Sequence, residues 1–184
     1  MLRRRALELL REVSDHGTPL ENHCRRLTEF ATALAALDQV PIERDLIAAA
    51  AYLHDVGLLV SEPADRNYLR RGQQWVAERT ASWELDAGQR KVLDDVMLYS
   101  HSLQTVPGIS PAGELVRRAV RVEHSLGRLT HGLDRATVVE IFARIPRAGF
   151  NRVLLSFFKT AIVDDGPTEL LRIFFPMGGI HDPL

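Results

Sequence analysis

The chain has 184 residues, 46% of them hydrophobic and 26% charged, which fits one globular domain with a sizeable core and argues against two full ones. Lys and Arg number 23 against 24 Asp and Glu, a net charge of -1, so composition offers no positive field to gather nucleic acid or to hold an anionic membrane. A single cysteine, Cys24, excludes an intramolecular disulfide framework and a cysteine-based zinc site, and points to a reducing, cytoplasmic setting.

The opening Met-Leu-Arg-Arg-Arg is basic, but Arg11 and Glu12 follow Ala6 to Leu10 at once, which is not the pattern of a secretion signal. A first helix is expected over Leu2 to Val13. Gly17-Thr18-Pro19 breaks it, and a second runs from Pro19 to Leu37 with Thr18 as N-cap. Pro41 opens a third that ends at Gly57. In it Leu46, Ile47, Ala50 and Leu53 recur at helical steps, and the run Ala48 to Ala51 admits a close neighbour, so this helix is expected to be the most buried. The longest apolar run, Leu46 to Leu53, falls far short of the ~20 residues that cross a bilayer. A polar stretch over Ser61 to Asn67 precedes helices expected at 68–80 and 86–100; after a loop at Pro107 to Pro111 come helices at 113–129, 135–144 and 148–163. The Gly-, Pro- and Phe-rich end, 164–184, reads as an irregular tail. The expectation is therefore an all-α, compact single domain over 1–184, with its core from about 19 to 163.

His54-Asp55, at the end of the alanine-rich helix, puts an imidazole nitrogen and a carboxylate oxygen side by side, two donors that can reach one cation where a helix stops. Alone, such a pair is as well explained by a helix end, where an imidazolium meets the dipole and an Asp caps the next turn. His23 lies one helix and one turn earlier, so an antiparallel pair of helices can bring it opposite His54. Together His23, His54 and Asp55 form a partial coordination shell.

The phrase Glu21-Asn-His-Cys-Arg-Arg26, followed by an apolar helix and Ala-Tyr-Leu-His-Asp-Val-Gly57, resembles the opening of the HD superfamily of metal-dependent hydrolases, with His23, Arg26, His54, Asp55 and Gly57 at the matching positions. That resemblance implies a helical fold and hydrolysis of nucleotides, cyclic nucleotides or related phosphate esters, with some members doing other hydrolytic or hydration chemistry. The family completes its metal site with an Asp on a later helix, commonly after Ala. Here Ala119 is followed by Val120, so the expected site is one anionic ligand short, and Glu123, one helical turn on, is a candidate to reach it. His101, in Tyr99-Ser-His-Ser102, is placed as a family-like histidine that either supports the metal's ligands or binds a second metal. The stretch from Arg118 to Gly132 and the phrase Ile145-Pro-Arg-Ala-Gly-Phe150 are more distantly similar to the cyanamide hydratase-like group.

The expected chemistry is metal activation of water. Asp55 or Glu123 would take the proton, and His101 or Arg26 would steady an anionic substrate. One divalent ion is expected, with Mn, Fe, Ni or Zn better suited than Mg to two His and one Asp. The expected partner is a small-molecule substrate, phosphorylated or nitrogenous, with no nucleic acid and no membrane. Two other readings stay open: a degenerate module with a regulatory or ligand-binding role, and a cyanamide hydratase-like lyase with a smaller, less basic pocket. His16, His124, His131 and His181 read as solvated, capping or loop residues. The Arg70-Arg71 pair and the Arg117, Arg118, Arg121 group read as solvated faces, and Trp75, Trp83, Phe142, Phe150, Phe157 and Phe158 as core.

Overall fold

Alanine adds almost nothing beyond the backbone, so a helix made of it lets neighbours pack closely on every side. The computed structural model, which describes residues 1–62, 65, 67–164 and 166–175, places such a helix at the centre. α3 spans Arg44–Leu53, and every residue from Leu46 to Leu53 is buried. Against it pack α1 (Leu2–Val13), α2 (Gly17–Asp38), α5 (Ala87–Tyr99) and α6 (Pro111–His124). α4 (Tyr68–Arg79) crosses a short 3-10 turn at Val56–Leu58 and continues onto α5. α7 (Arg135–Arg144) and α8 (Phe150–Asp164) lie against α2, and α9 (Pro167–Phe174) packs on α8. Among the described residues there is no strand, and no helix is long and apolar enough to cross a membrane. The chain is all-α.

Sequence periodicity places α1 and α7 at their observed bounds. Elsewhere local chemistry shifts the ends. Thr18 lies inside α2, whose N-cap is His16 without a side-chain cap bond. Pro41 and Ile42 lie outside the helix, Glu43 is extended, and α3 begins only at Arg44. Asp86 caps α5 in a reciprocal capping box with Gln89, and the Ser110 hydroxyl accepts from Gly113 to start α6. α6 stops at His124 rather than Leu129, because Leu126 and Gly127 take up positive φ angles of 56° and 75°. The expected tail contains α9 from Pro167 to Phe174; residues 176–184, His181 among them, lie outside the described part.

Two charged positions read as solvated are buried. Arg71 donates to the Gly57 carbonyl at 2.8 Å, and Arg117 pairs with Glu114 at 2.7 Å while donating to the Ser102 carbonyl at 2.9 Å. Both tie loops to helices, a use of a long cationic side chain that periodicity cannot show.

Candidate metal centre

α2 buries a stripe of Leu20, Cys24, Leu27, Ala31 and Leu34 at three- and four-residue steps, and His23 sits on that inward face, fully enclosed. α3 ends at Leu53. The chain then tightens towards the 3-10 turn, and this exit from the helix lets the adjacent side chains of His54 and Asp55 share one space. His23 Nε2 lies 3.4 Å from His54 Nε2, which is 3.0 Å from Asp55 Oδ2. The second Asp55 oxygen is 2.9 Å from Nε2 of His101, carried in the turn that follows α5.

A fourth imidazole closes the circle. His124, the last residue of α6, stacks against His101 at 5.7 Å between ring centroids and against His23 at 5.6 Å. The pairs His23–His54 and His54–His101 stand at 5.2 and 5.5 Å. His124 Nε2 is buried and has no hydrogen-bond partner among the described residues. The sequence reading set His124 aside as a polar helix end. Its one visible signal was position: it lies four residues, one turn of the same face, after Val120, which is itself buried in the core.

Second contacts fix which nitrogen faces inward. His54 Nδ1 is 2.8 Å from the Ala51 carbonyl, which can only accept, so Nδ1 holds a proton and Nε2 points into the cluster. His23 turns Nδ1 towards Glu123 Oε1 at 3.5 Å, leaving Nε2 on the His54 side, and its ring stacks on Phe150 at 4.0 Å. Burial acts against a charged His54, but the Asp55 carboxylate outweighs it and holds the imidazole well above its ordinary pKa. Asp55 is shifted the opposite way: burial alone would raise it, and the neighbouring His54 and His101 carry it well below the usual carboxylate range. His124 is pushed down to about 3 by burial, with His23 and His101 adding to the effect, so it is neutral with a lone pair to offer. His23 is lowered, chiefly by burial.

Glu123 and Arg26 sit behind this cluster. Arg26 donates through Nε and Nη2 to Glu123 Oε1 at 3.0 and 2.5 Å, and through Nη1 to the carbonyls of Ile145 and Pro146 at 3.1 and 3.0 Å. Arg147 adds a third contact to the same oxygen at 2.8 Å. Burial raises the Glu123 pKa, yet the neighbouring His23, His124 and the Arg26 guanidinium bring it well below the ordinary carboxylate value. The structure thus gathers His23, His54, Asp55 and His101, sets Glu123 behind His23, and does not bring the fully enclosed Arg26 to the open side of the cluster.

Among the described residues, two triads of possible ligands bring one donor atom from each member within 4.8 Å of the others: His23, His54 and Asp55, and His23, Glu123 and His124. Tetrahedral ligands at about 2.0–2.1 Å from a zinc-sized ion lie roughly 3.3 Å apart. The spacings of 3.4 Å between His23 and His54 and 3.0 Å between His54 and Asp55 fit that requirement. A donor set of imidazoles and one carboxylate suits a transition metal better than Mg.

A cavity opens on the other side of the cluster. Asp55, His101 and His124 form its polar end, and Tyr68 of α4 with Leu154, Phe157 and Ala161 of α8 and Phe174 of α9 form its walls. In comparisons with known proteins, no family model, no curated protein and no solved structure matches this chain.

Proposed function

We propose that this protein is a metal-dependent hydrolase of the HD type, acting on a small phosphorylated or nitrogenous compound. The observation that carries the reading is the meeting of His23 from α2 with His54 and Asp55 from the end of α3, at ligand-like separations in a buried pocket. His23, His54 and Asp55 would hold a divalent ion, which when bound would lower the pKa of its water from about 15.7 towards about 7 and offset negative charge on the substrate.

The chain's own residues do the rest. The Ala51 carbonyl orients His54, the role outer carbonyls play around metal-bound imidazoles, and Glu123 Oε1 stands 3.5 Å from Nδ1 of His23. His124, one turn after Val120 on the same helix, brings a neutral nitrogen beside the site, in the second triad with His23 and Glu123. The site is then one negative charge poorer, which favours Mn, Fe, Ni or Zn over Mg. His101, hydrogen-bonded to Asp55 and facing the cavity, is placed to take a proton from the attacking water or give one to the leaving atom.

The test is elemental analysis of the purified protein beside the His54→Ala, Asp55→Ala and His124→Ala variants. Close to one transition metal per chain in the parent, lost in the first two and weakened in the third, is the expected result. A parent that stays metal-free after incubation with Mn, Fe, Ni and Zn salts overturns the reading. Metal without turnover of any phosphate ester, amide or nitrile assigns the fold to a regulatory or ligand-binding module instead.

A further inference from the structure

The cavity beside the cluster differs from a phosphate site in its walls. Leu58, Tyr68, Leu154, Phe157, Ala161 and Phe174 surround the polar end, and no Lys or Arg lines it among the described residues. Dianionic phosphate is normally met by guanidinium forks or ammonium groups, so the whereabouts of the nearby arginines decides the matter. Arg26 is fully buried and directs its donors to Glu123 and the carbonyls of Ile145 and Pro146. Arg147 faces Glu123 and Asn151. Arg117 is held by Glu114 and the Ser102 carbonyl, and Arg121 donates to the Leu103 carbonyl. Asp55, the only acid lining the cavity among the described residues, would repel an anion further.

Resting on the metal-site reading above, we infer that the substrate of this site is an uncharged molecule with a compact apolar group, which lies among Tyr68, Leu154, Phe157 and Ala161 while its polar, reacting end meets Asp55, His101 and His124. An apolar group gains about 0.8 kcal/mol for each methylene it buries, whereas a phosphate would give up its water with no cation from the walls to replace it. Helices α8 and α9 supply most of the wall, so they set which group is accepted. Phe158, 38% exposed, stands at the outer edge, where its side chain borders both this cavity and the protein surface.

The experiment compares two probes with one alkyl chain and different charge, butyramide and butyl phosphate, by NMR titration of the full-length protein, with metal content measured on the same samples. Butyramide binding at least tenfold tighter than butyl phosphate, abolished in Ala161→Phe, is the expected result. Ala161 is buried and its replacement can disturb packing, so Phe158→Lys serves as the second variant: a cation at the edge should narrow or reverse the preference while leaving the fold intact. Equal or tighter binding of butyl phosphate by the parent, or no binding of either probe, overturns the inference. A parent that carries no metal yet keeps the preference for butyramide overturns the metal-site reading and leaves the cavity's selectivity standing.

Discussion

Glu123 joins two guanidinium groups, those of Arg26 and Arg147, at one carboxylate oxygen, and Nδ1 of the His23 imidazole lies 3.5 Å from the same oxygen. Removing it leaves the enclosed Arg26 guanidinium without its counter-charge, a change that costs about 3–5 kcal/mol when one member of a buried pair is lost. Glu123→Ala should therefore unfold at markedly lower urea than the parent at neutral pH. The sign of the pH dependence follows from the direction of the shift. Glu123 is held below the 4.5 of an unfolded chain, so its contribution is present above that pH and fades as the pH falls through the folded-state value. The gap between parent and variant should shrink in acid, and a gap that widens there would contradict this account. His23, His54 and Asp55 were legible because helical spacing and adjacency bring them together. His124 was not, since polar neighbours in sequence hide a burial that comes from the stacking of His23 and His101 on its ring.

The turn between α3 and α4 shows what a small residue does for two elements at once. A Cβ on Gly57 would lie 1.8 Å from the Tyr68 carbonyl oxygen and 2.8 Å from the Gly72 nitrogen, both backbone atoms that cannot swing aside. Gly57 thus lets the first turns of α4 rest directly on the segment that carries His54 and Asp55, and α4 in turn sets Tyr68 in the cavity wall. Gly57→Ala should destabilise the fold by about 1–3 kcal/mol or more, as forced overpacking does, and shift the Tyr68 resonances by NMR; a variant as stable as the parent would show that α4 is free to slide. Sequence marked Gly57 as part of a motif, but the crossing helix that needs it starts after a polar stretch and gives no periodic signal of its partner. Helix interiors were legible from α1 to α8, while α9 lies in the stretch that reads as an irregular tail. Helix ends were less legible, because side-chain capping at Ser110 and Asp134, its absence at His16 and the positive φ at Leu126 depend on single residues.

The donors of the cluster come from four places along the chain: α2, the end of α3, the turn after α5, and the end of α6. No unfolded chain holds them together, so a cation that binds them binds the native state alone and raises its stability by mass action. At a free metal concentration a hundred times the dissociation constant this amounts to about 2.7 kcal/mol, or roughly 5–10 °C in Tm for a chain of this size. Calorimetry with added zinc and then with a chelator should show that rise and its reversal in the parent, and neither in Asp55→Ala. The all-α class was readable from periodicity over the stretch that holds α1 to α8. The way the helices converge on one buried polar centre was not, because it rests on contacts such as α2 with α6 that join distant segments.

The pairing of Arg26 with Glu123 also limits how this protein can change over generations. Either residue altered alone strands a charge in the interior, so the path to any other arrangement passes through a chain that folds poorly. The two positions, 97 residues apart, can be replaced only together or not at all. Val120, part of the buried core, stands outside that pair, and can change without stranding a charge only where its replacement stays apolar and of similar volume.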